Sequence, residues 1–250
     1  MKVVFLGTAG SAPVEGHRLP SILVENRFLL DCGEGVTEAL CKMGLFNEIE
    51  AVFLTHMHGD HVSGIISLIW TYMLKGRRRK LLVAGPRGTA DALIKLLKAV
   101  NTPMDRIRSF VAFKDLEPSE DLGYIKVCEA RHPIPSLAFR VDLNGISLCY
   151  TGDTSPSPKV VELAKGCDLL IHDSTFPPDM EKEALSTGHS TARQAGEIAA
   201  KAGVRMLALF HLPYYYYEND VFLKDFLKAA EEAFSGKVFV PEEMKCYNIV

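Results

Sequence analysis

The 250-residue chain reads as an α/β protein, with layered sheets and helices on their outer faces. Three features of the sequence predict this. Short runs rich in Val, Ile and Leu alternate with amphipathic helical patterns. No Ser/Gly-rich linker, low-complexity tract or short-period repeat interrupts them, so residues 1–250 read as a single domain. Several of the apolar runs lead directly into a histidine or an aspartate.

The strand candidates are Lys2–Leu6, Ile22–Glu25, Phe28–Asp31, Ala51–Leu54, Leu81–Ala84, Tyr124–Ala130, Leu137–Asp142, Ile146–Tyr150, Leu169–His172, Met206–Phe210 and Val238–Val240. Asn144-Gly145 joins two of them as a hairpin turn, because both residues tolerate the positive φ that a two-residue connection demands. Helices are expected over Val62–Leu74, Thr89–Val100, Ser157–Lys165, Thr191–Ala202 and Val221–Phe234. The first carries Val62, Ile65, Ile66, Ile69, Tyr72 and Met73 on one face, at helical spacing. Thr191-Ala192-Arg193-Gln194 has capping-box spacing and Gly203 supplies a stop.

Composition narrows the function classes. The net charge of −3 argues against a surface that binds nucleic acid through a general positive field, while leaving room for a local patch. The apolar opening Val3–Leu6 is too short for a secretory signal, and no stretch approaches the roughly 20 apolar residues of a membrane span. The six cysteines are scattered without Cys-x-x-Cys spacing, which fits buried free thiols in a reducing cytoplasm.

The segment Thr55-His56-Met57-His58-Gly59-Asp60-His61 carries the sharpest chemical signal. It packs four metal-ligating side chains into six residues between a buried strand and an amphipathic helix. Gly59 lets the loop fold tightly. His56 and His58 are spaced to grip one ion; Asp60 and His61, at the helix start, are spaced to grip a second. Imidazole and carboxylate ligands suit zinc, with iron or manganese as alternatives. Three further candidates follow apolar strands: His132, Asp153 in Thr151-Gly152-Asp153-Thr154, and His211. Taken alone, His132 also fits a surface residue and Asp153 also fits ordinary turn chemistry.

In order and spacing, Thr55-His56-x-His58-x-Asp60-His61, His132, Thr151-Gly152-Asp153 and His211 resemble the metallo-β-lactamase superfamily, across most of the chain. That resemblance implies an αββα sandwich with the metals at one edge. It assigns His56, His58 and His132 to one metal, Asp60, His61 and His211 to the other, and Asp153 as a bridge. The diiron flavoprotein branch usually has Glu at the position of His58, so the set is similar to a zinc hydrolase site holding two zinc ions.

Within the superfamily the sequence resembles the ribonuclease Z branch, phosphodiesterases that trim tRNA 3′ ends. Phe5-Leu6-Gly7-Thr8 with Asp31-Cys32-Gly33-Glu34-Gly35 is similar to its first motif. His172-Asp173-Ser174-Thr175 resembles its His-Glu-Ala-Thr segment, with Asp173 at the Glu position, and Gly188-His189-Ser190-Thr191-Ala192 resembles a further histidine segment. The resemblance implies that His189, paired with Asp173, protonates the leaving oxygen and that Asp60 also accepts a proton. Just before a helix N-cap, His189 needs such a carboxylate to offset the helix dipole. His172 reads as a strand-end residue.

The chain departs from that branch in three places. Only twenty residues separate His132 from Asp153, where the branch usually inserts a long tRNA-holding arm. Leu19 follows Arg18, the expected match to a substrate-binding Arg, where the branch has Asn. After His211 the chain reads Pro213-Tyr214-Tyr215-Tyr216-Tyr217 in place of Ser-Arg-Tyr, which puts Tyr215 at the phosphate-binding Arg. Lys75–Lys80 is a basic run suited either to RNA phosphates or to a solvated loop, and the tyrosines suit either base stacking or rim packing. The expected partners are RNA, tRNA or a small phosphodiester, and a second copy of the chain as a homodimer, with no membrane. Competing readings are a hydrolase of carboxylic, thio- or sulfate esters or lactones on the same scaffold, and an inactive binding scaffold.

Overall fold

A computed structural model describes residues 1–216 and 220–250, so Tyr217 lies outside the described residues. The chain first lays down β1 (Lys2–Gly7), β2 (Ser21–Val24), β3 (Phe28–Leu30), β4 (Ala51–Phe53), β5 (Leu81–Pro86) and β6 (Val111–Leu116). Between them run α1 (Val36–Lys42), α2 (Gly59–Val62), α3 (Gly64–Leu74), α4 (Thr89–Ala99) and α5 (Met104–Ile107). There follow β7 (Ile125–Glu129), β8 (Leu137–Leu143), β9 (Ile146–Tyr150), β10 (Leu169–Asp173), β11 (Met206–Phe210) and β12 (Lys237–Phe239), with α6 (Pro158–Ala164), α7 (Glu181–Thr187), α8 (Ala192–Ala202) and α9 (Asp220–Ala233). β13 (Cys246–Asn248) returns to the first sheet.

The strand orders are β13-β1-β2-β3-β4-β5-β6 and β12-β11-β10-β9-β8-β7. The sheets pack face to face through Phe5, Phe53, Phe139, Tyr150 and Phe210, all buried. Helices cover both outer faces. Ile65, Leu68 and Tyr72 of α3 lie against the first sheet, and Ala195 and Ala199 of α8 with Phe226 of α9 against the second. β11 shows how one strand serves two layers. Leu207 and Leu209 face the helices while Ala208 and Phe210 face the other sheet, the period-two alternation of a strand buried on both sides.

Direction matters most for function. β3, β4, β5 and β6 run parallel, as do β9, β10, β11 and β12. β7 is antiparallel to β8, which is antiparallel to β9, so β7 and β9 point the same way. The carboxyl ends of β3, β4, β7, β9, β10 and β11 therefore open along one edge. The sheets are tied together there, by Leu137 N donating to Thr55 O at 2.8 Å and by a bridge between Ala9 and Leu212.

All expected strands are present to within a residue or two. The helix expected over Val62–Leu74 begins earlier, at Gly59, and is interrupted at Ser63. The interruption seats Gly64 against the loop after β3: its N–H donates to Cys32 O at 2.9 Å, and a Cβ there would fall 2.1 Å from Gly33 O. Among the described residues, five strands and α-helices lie outside the expected set, besides the 3-10 turn Tyr214–Tyr216. β6 is an edge strand whose Lys114 and Asp115 break the apolar pattern, and β13 is three residues held by pairing with β1 at the far end of the chain. α1, α5 and α7 start without a side-chain cap, so they lack a local start signal. By contrast α8 has both halves of its capping box, Gln194 N to Thr191 Oγ1 at 3.2 Å and Thr191 N to Gln194 Oε1 at 3.0 Å, and Gly203 ends it with a left-handed φ of 63°. Replacing Thr191 with Ala is expected to lower unfolding free energy by about 1 kcal/mol in urea titration, through loss of that cap.

Candidate metal centre

The edge where the strands end gathers every ligand candidate. β4 runs into His56 and His58, and α2 carries Asp60 and His61. β7 leads to His132, β9 to Asp153 and β11 to His211. Among the described residues three groups of donor atoms converge: His56, His58, His132 and Asp153 form one, Asp60, His61, Asp153 and His211 another, and Asp173, His189 and His211 a third beside them. Asp153 belongs to the first two. Its Oδ2 lies 3.5 Å from His56 Nε2, while its Oδ1 lies 3.4 Å from His61 Nε2 and 3.5 Å from His211 Nε2. In the first group His58 Nδ1 sits 3.0 Å from His56 Nε2 and 3.2 Å from His132 Nε2. In the second, Asp60 Oδ2 sits 3.3 Å from His61 Nε2 and 3.1 Å from His211 Nε2.

The backbone is shaped around this convergence. His211 takes φ 60°, unfavourable for a residue with a Cβ, which marks a position held by its surroundings. Gly152 takes φ 56°, and a Cβ there would meet the Thr55 side chain at 2.6 Å; the bare backbone lets the β9 loop close over the β4 loop.

The donor set fits divalent cations. His61 Nε2 and Asp153 Oδ1 are buried without a hydrogen-bond partner, an expensive arrangement unless a cation lies between them. Burial alone would lower the His61 pKa, yet Asp153 and Asp31 hold it well above the ordinary histidine value. Burial would raise the Asp153 carboxyl, yet His211 and His61 hold it well below the carboxylate range. His56 is pushed down to about 2 by burial and by His61, against the pull of Asp153, so it presents a neutral ring. A field negative enough to raise His61, beside the neutral ring of His56, is what a metal needs.

Behind the donors lie two buried carboxylates that sequence reasoning treated as motif residues or as a proton relay. Asp31, at the end of β3, accepts from Thr55 N at 2.7 Å, Thr55 Oγ1 at 2.9 Å, Tyr150 Oη at 2.7 Å and His61 Nδ1 at 2.7 Å. Asp173, at the end of β10, accepts from Thr154 N at 2.9 Å, Thr175 N at 2.9 Å, Thr175 Oγ1 at 2.7 Å and His189 Nδ1 at 2.8 Å. Asp31, Thr55, Tyr150 and Thr175 were not singled out from the sequence as site residues. The usable signal for Asp31 was the one that found the ligands, a carboxylate directly after an apolar strand.

His189 lies beside the ligand cluster without joining either group around Asp153, and its Nδ1 is 4.0 Å from Asp153 Oδ2. Burial would lower its pKa, but Asp173 lifts it to about 9. His172 is fully buried in β10, its Nδ1 2.8 Å from Asp173 O, and burial lowers its pKa. Arg18 bonds Glu243 Oε1 at 2.6 Å and Glu38 Oε2 at 3.2 Å, with its aliphatic stem over Gly35. Tyr215 sits in a 3-10 turn after His211, edge-on to Tyr214 at 5.4 Å.

The basic run Lys75–Lys80 lies at the opposite edge, ahead of the amino end of β5. Arg77 stacks 4.2 Å from the Tyr72 ring and bonds Ile49 O, Arg79 pairs with Glu50, and Lys80 bonds Ser109 O at 2.8 Å. These contacts fit the structural reading of the run over the phosphate-binding one.

Comparison with known proteins agrees with this layout. Residues 26–212 match the model of the beta-lactamase superfamily domain. A ribonuclease Z of Picrophilus torridus is 32% identical over 301 aligned positions, covering 99% of this chain and 96% of that protein. The crystal structure of the short form of human tRNase Z has a TM-score of 0.82 and 25% identity, covering 100% of both chains. The metallo-beta-lactamase fold protein YhfI of Bacillus subtilis has a TM-score of 0.82 at 24% identity, covering 98% of both, a likeness of fold. The first alignment spans more positions than the 250 residues available here, so that relative carries residues without a counterpart in this chain.

Shared use of Asp153 sets an expectation for metal analysis by mass spectrometry. The native chain is expected to hold two divalent ions per chain, His132→Ala one, and Asp153→Ala fewer than one.

Proposed function

The chain belongs to the ribonuclease Z family of the beta-lactamase superfamily, and from that premise we propose that it is a metal-dependent phosphodiesterase that cleaves RNA in tRNA 3′ processing. The observation that carries the phosphodiester chemistry is the His189–Asp173 pair, 2.8 Å apart and beside the ligand cluster. We assign His56, His58, His132 and Asp153 to one cation and Asp60, His61, Asp153 and His211 to the other. Two zinc ions are proposed, with manganese or iron as alternatives. When bound, such ions supply a nucleophile from water at neutral pH and offset charge on the phosphoryl oxygens.

The protein's own groups do the rest. A carboxylate in contact with His189 Nδ1 fixes the proton on that nitrogen and turns Nε2 to the outside of the pair. Held protonated by Asp173, the ring keeps a proton at Nε2 for the leaving oxygen, which would otherwise depart as an alkoxide. Asp60 stays ionised because contacts with His211 and His61 outweigh its burial, and it is the proposed acceptor for a proton from the attacking water. Tyr215 is proposed to line the substrate entrance. Arg18 is proposed to bind substrate while also holding Glu243 and Glu38, contacts that use two of the five N–H donors of a guanidinium.

A second reading, a smaller phosphodiester substrate, is favoured by one observation. β8 and β9 are joined by the tight turn Asn144-Gly145, and the link from β7 to β8 is short, so no long arm projects between His132 and Asp153. We further propose that residues 1–250 act as one domain, in the cytoplasm and as a homodimer, on the family resemblance. No helix among the described residues is long and apolar enough to cross a membrane.

Two experiments follow. Metal-loaded enzyme assayed on precursor tRNA, an aryl phosphodiester, an aryl sulfate and a lactone is expected to cleave the phosphodiesters. Cleavage of the small diester alone favours the second reading, and hydrolysis of only the sulfate or the lactone contradicts both. His189→Ala is expected to retain its metal content while turnover falls by about 10²–10⁴; unchanged turnover removes His189 from the mechanism.

A further inference from the structure

The two buried carboxylates are organised alike. On the first sheet, Asp31 bonds one imidazole directly, His61 Nδ1 at 2.7 Å, and a second through a threonine, since Thr55 Oγ1 bonds Asp31 at 2.9 Å and lies 3.0 Å from His56 Nδ1. On the second sheet, Asp173 bonds His189 Nδ1 at 2.8 Å, and Thr175 Oγ1 bonds Asp173 at 2.7 Å and lies 2.9 Å from His211 Nδ1. In each case the threonine hydroxyl also approaches the directly bonded ring, Thr55 Oγ1 to His61 Nδ1 at 3.5 Å and Thr175 Oγ1 to His189 Nδ1 at 3.2 Å. In each case the threonine backbone N–H donates to the same carboxylate. The units differ in what they serve. On the first sheet both rings belong to the two donor groups assigned to cations; on the second only His211 does, and His189, whose ring converges with Asp173 and His211, is the proposed proton donor.

A hydroxyl has one proton to give. In the 2.7 Å contact the Thr175 hydroxyl donates to the Asp173 carboxylate, which leaves its oxygen to accept from ring N–H groups. His211 must then carry a proton on Nδ1, which leaves Nε2, facing Asp60 and Asp153, as the nitrogen open to a cation. His189 must also carry a proton on Nδ1, shared between Asp173 and the same hydroxyl. One oxygen thus fixes the ring of a metal ligand and the ring of the proton donor.

We propose that Thr175 is a positioning residue that couples metal binding at Asp60, His61, Asp153 and His211 to proton donation by His189. The assignment rests on the proposed phosphodiesterase reading for its catalytic half and on ligand geometry alone for its metal half. Val is nearly isosteric with Thr and lacks the hydroxyl, so Thr175→Val removes the side-chain bonds to Asp173, His211 and His189 and leaves the backbone bond to Asp173.

The test compares Thr175→Val and Thr175→Ser, each with and without His189→Ala, in two measurements. Zinc titration against a chromophoric chelator reads metal affinity without turnover; hydrolysis of an aryl phosphodiester at saturating zinc reads kcat and KM. Thr175→Val is expected to weaken one of the two zinc sites by about 10- to 100-fold and, once that site is refilled, to keep a kcat reduced at least about tenfold at unchanged KM. Thr175→Ser is expected to restore both. In the His189→Ala background, Thr175→Val should lower kcat no further at saturating zinc, because both changes remove the same proton transfer. The coupling is overturned if Thr175→Val binds zinc like the native chain, if Thr175→Ser behaves like Thr175→Val, or if the kcat losses from Thr175→Val and His189→Ala multiply. If the native chain hydrolyses no phosphodiester, the proposed function fails while the zinc titration still decides the ligand half.

Discussion

One buried carboxylate holds the architecture of this edge together. Asp153 is almost wholly removed from water, and its two oxygens face His56 on one side and His61 and His211 on the other. Burying an ionised carboxylate costs several kcal/mol unless opposite charge compensates it. The neutral ring of His56 cannot do so, and Asp60 and Asp173 add further negative charge nearby. The fold brings strands from both sheets to that spot, and the arrangement makes energetic sense when cations complete it. Gly152 is the local condition for it, because a Cβ there would strike Thr55 and push Asp153 out of line. The strained φ of His211 is another cost that the completed cluster offsets.

The site divides labour between layers. The helices stabilise the outer faces through ordinary apolar packing, and among the described residues they contribute proposed ligands only at the start of α2. The other proposed ligands come from loops directly after strands, where the sheet fixes one end of each loop. Behind them the Asp31–Thr55 and Asp173–Thr175 units set which nitrogen of each ring carries a proton. Sheet geometry fixes where the rings lie, and these hydroxyl–carboxylate units fix what the rings present.

Much of this was legible in the sequence, for reasons that differ by element. The buried strands announce themselves through Val, Ile and Leu runs, and α8 through the capping box at Thr191 and the stop at Gly203. The candidate ligands stand out because they sit next to those strands and because His56 to Asp60 crowd into one loop. What escaped depends on contacts between residues far apart in the chain. β13 exists through pairing with β1, and the break at Ser63 comes from the close approach of Gly64 to Gly33. Asp31 and Thr175 look like ordinary polar residues until Tyr150, His61, His189 and His211 arrive from elsewhere. Lys75–Lys80 shows the reverse: a run that suggests nucleic-acid binding by composition is largely spent on Tyr72, Ile49, Glu50 and Ser109 at the far edge.

The most direct measurement of the central claim is anomalous diffraction at the zinc edge from crystals of the zinc-loaded protein. The account predicts two peaks, one enclosed by His56, His58, His132 and Asp153 and one by Asp60, His61, Asp153 and His211, with Asp153 reaching both. A single peak, or two peaks with Asp153 bound to neither, would contradict it.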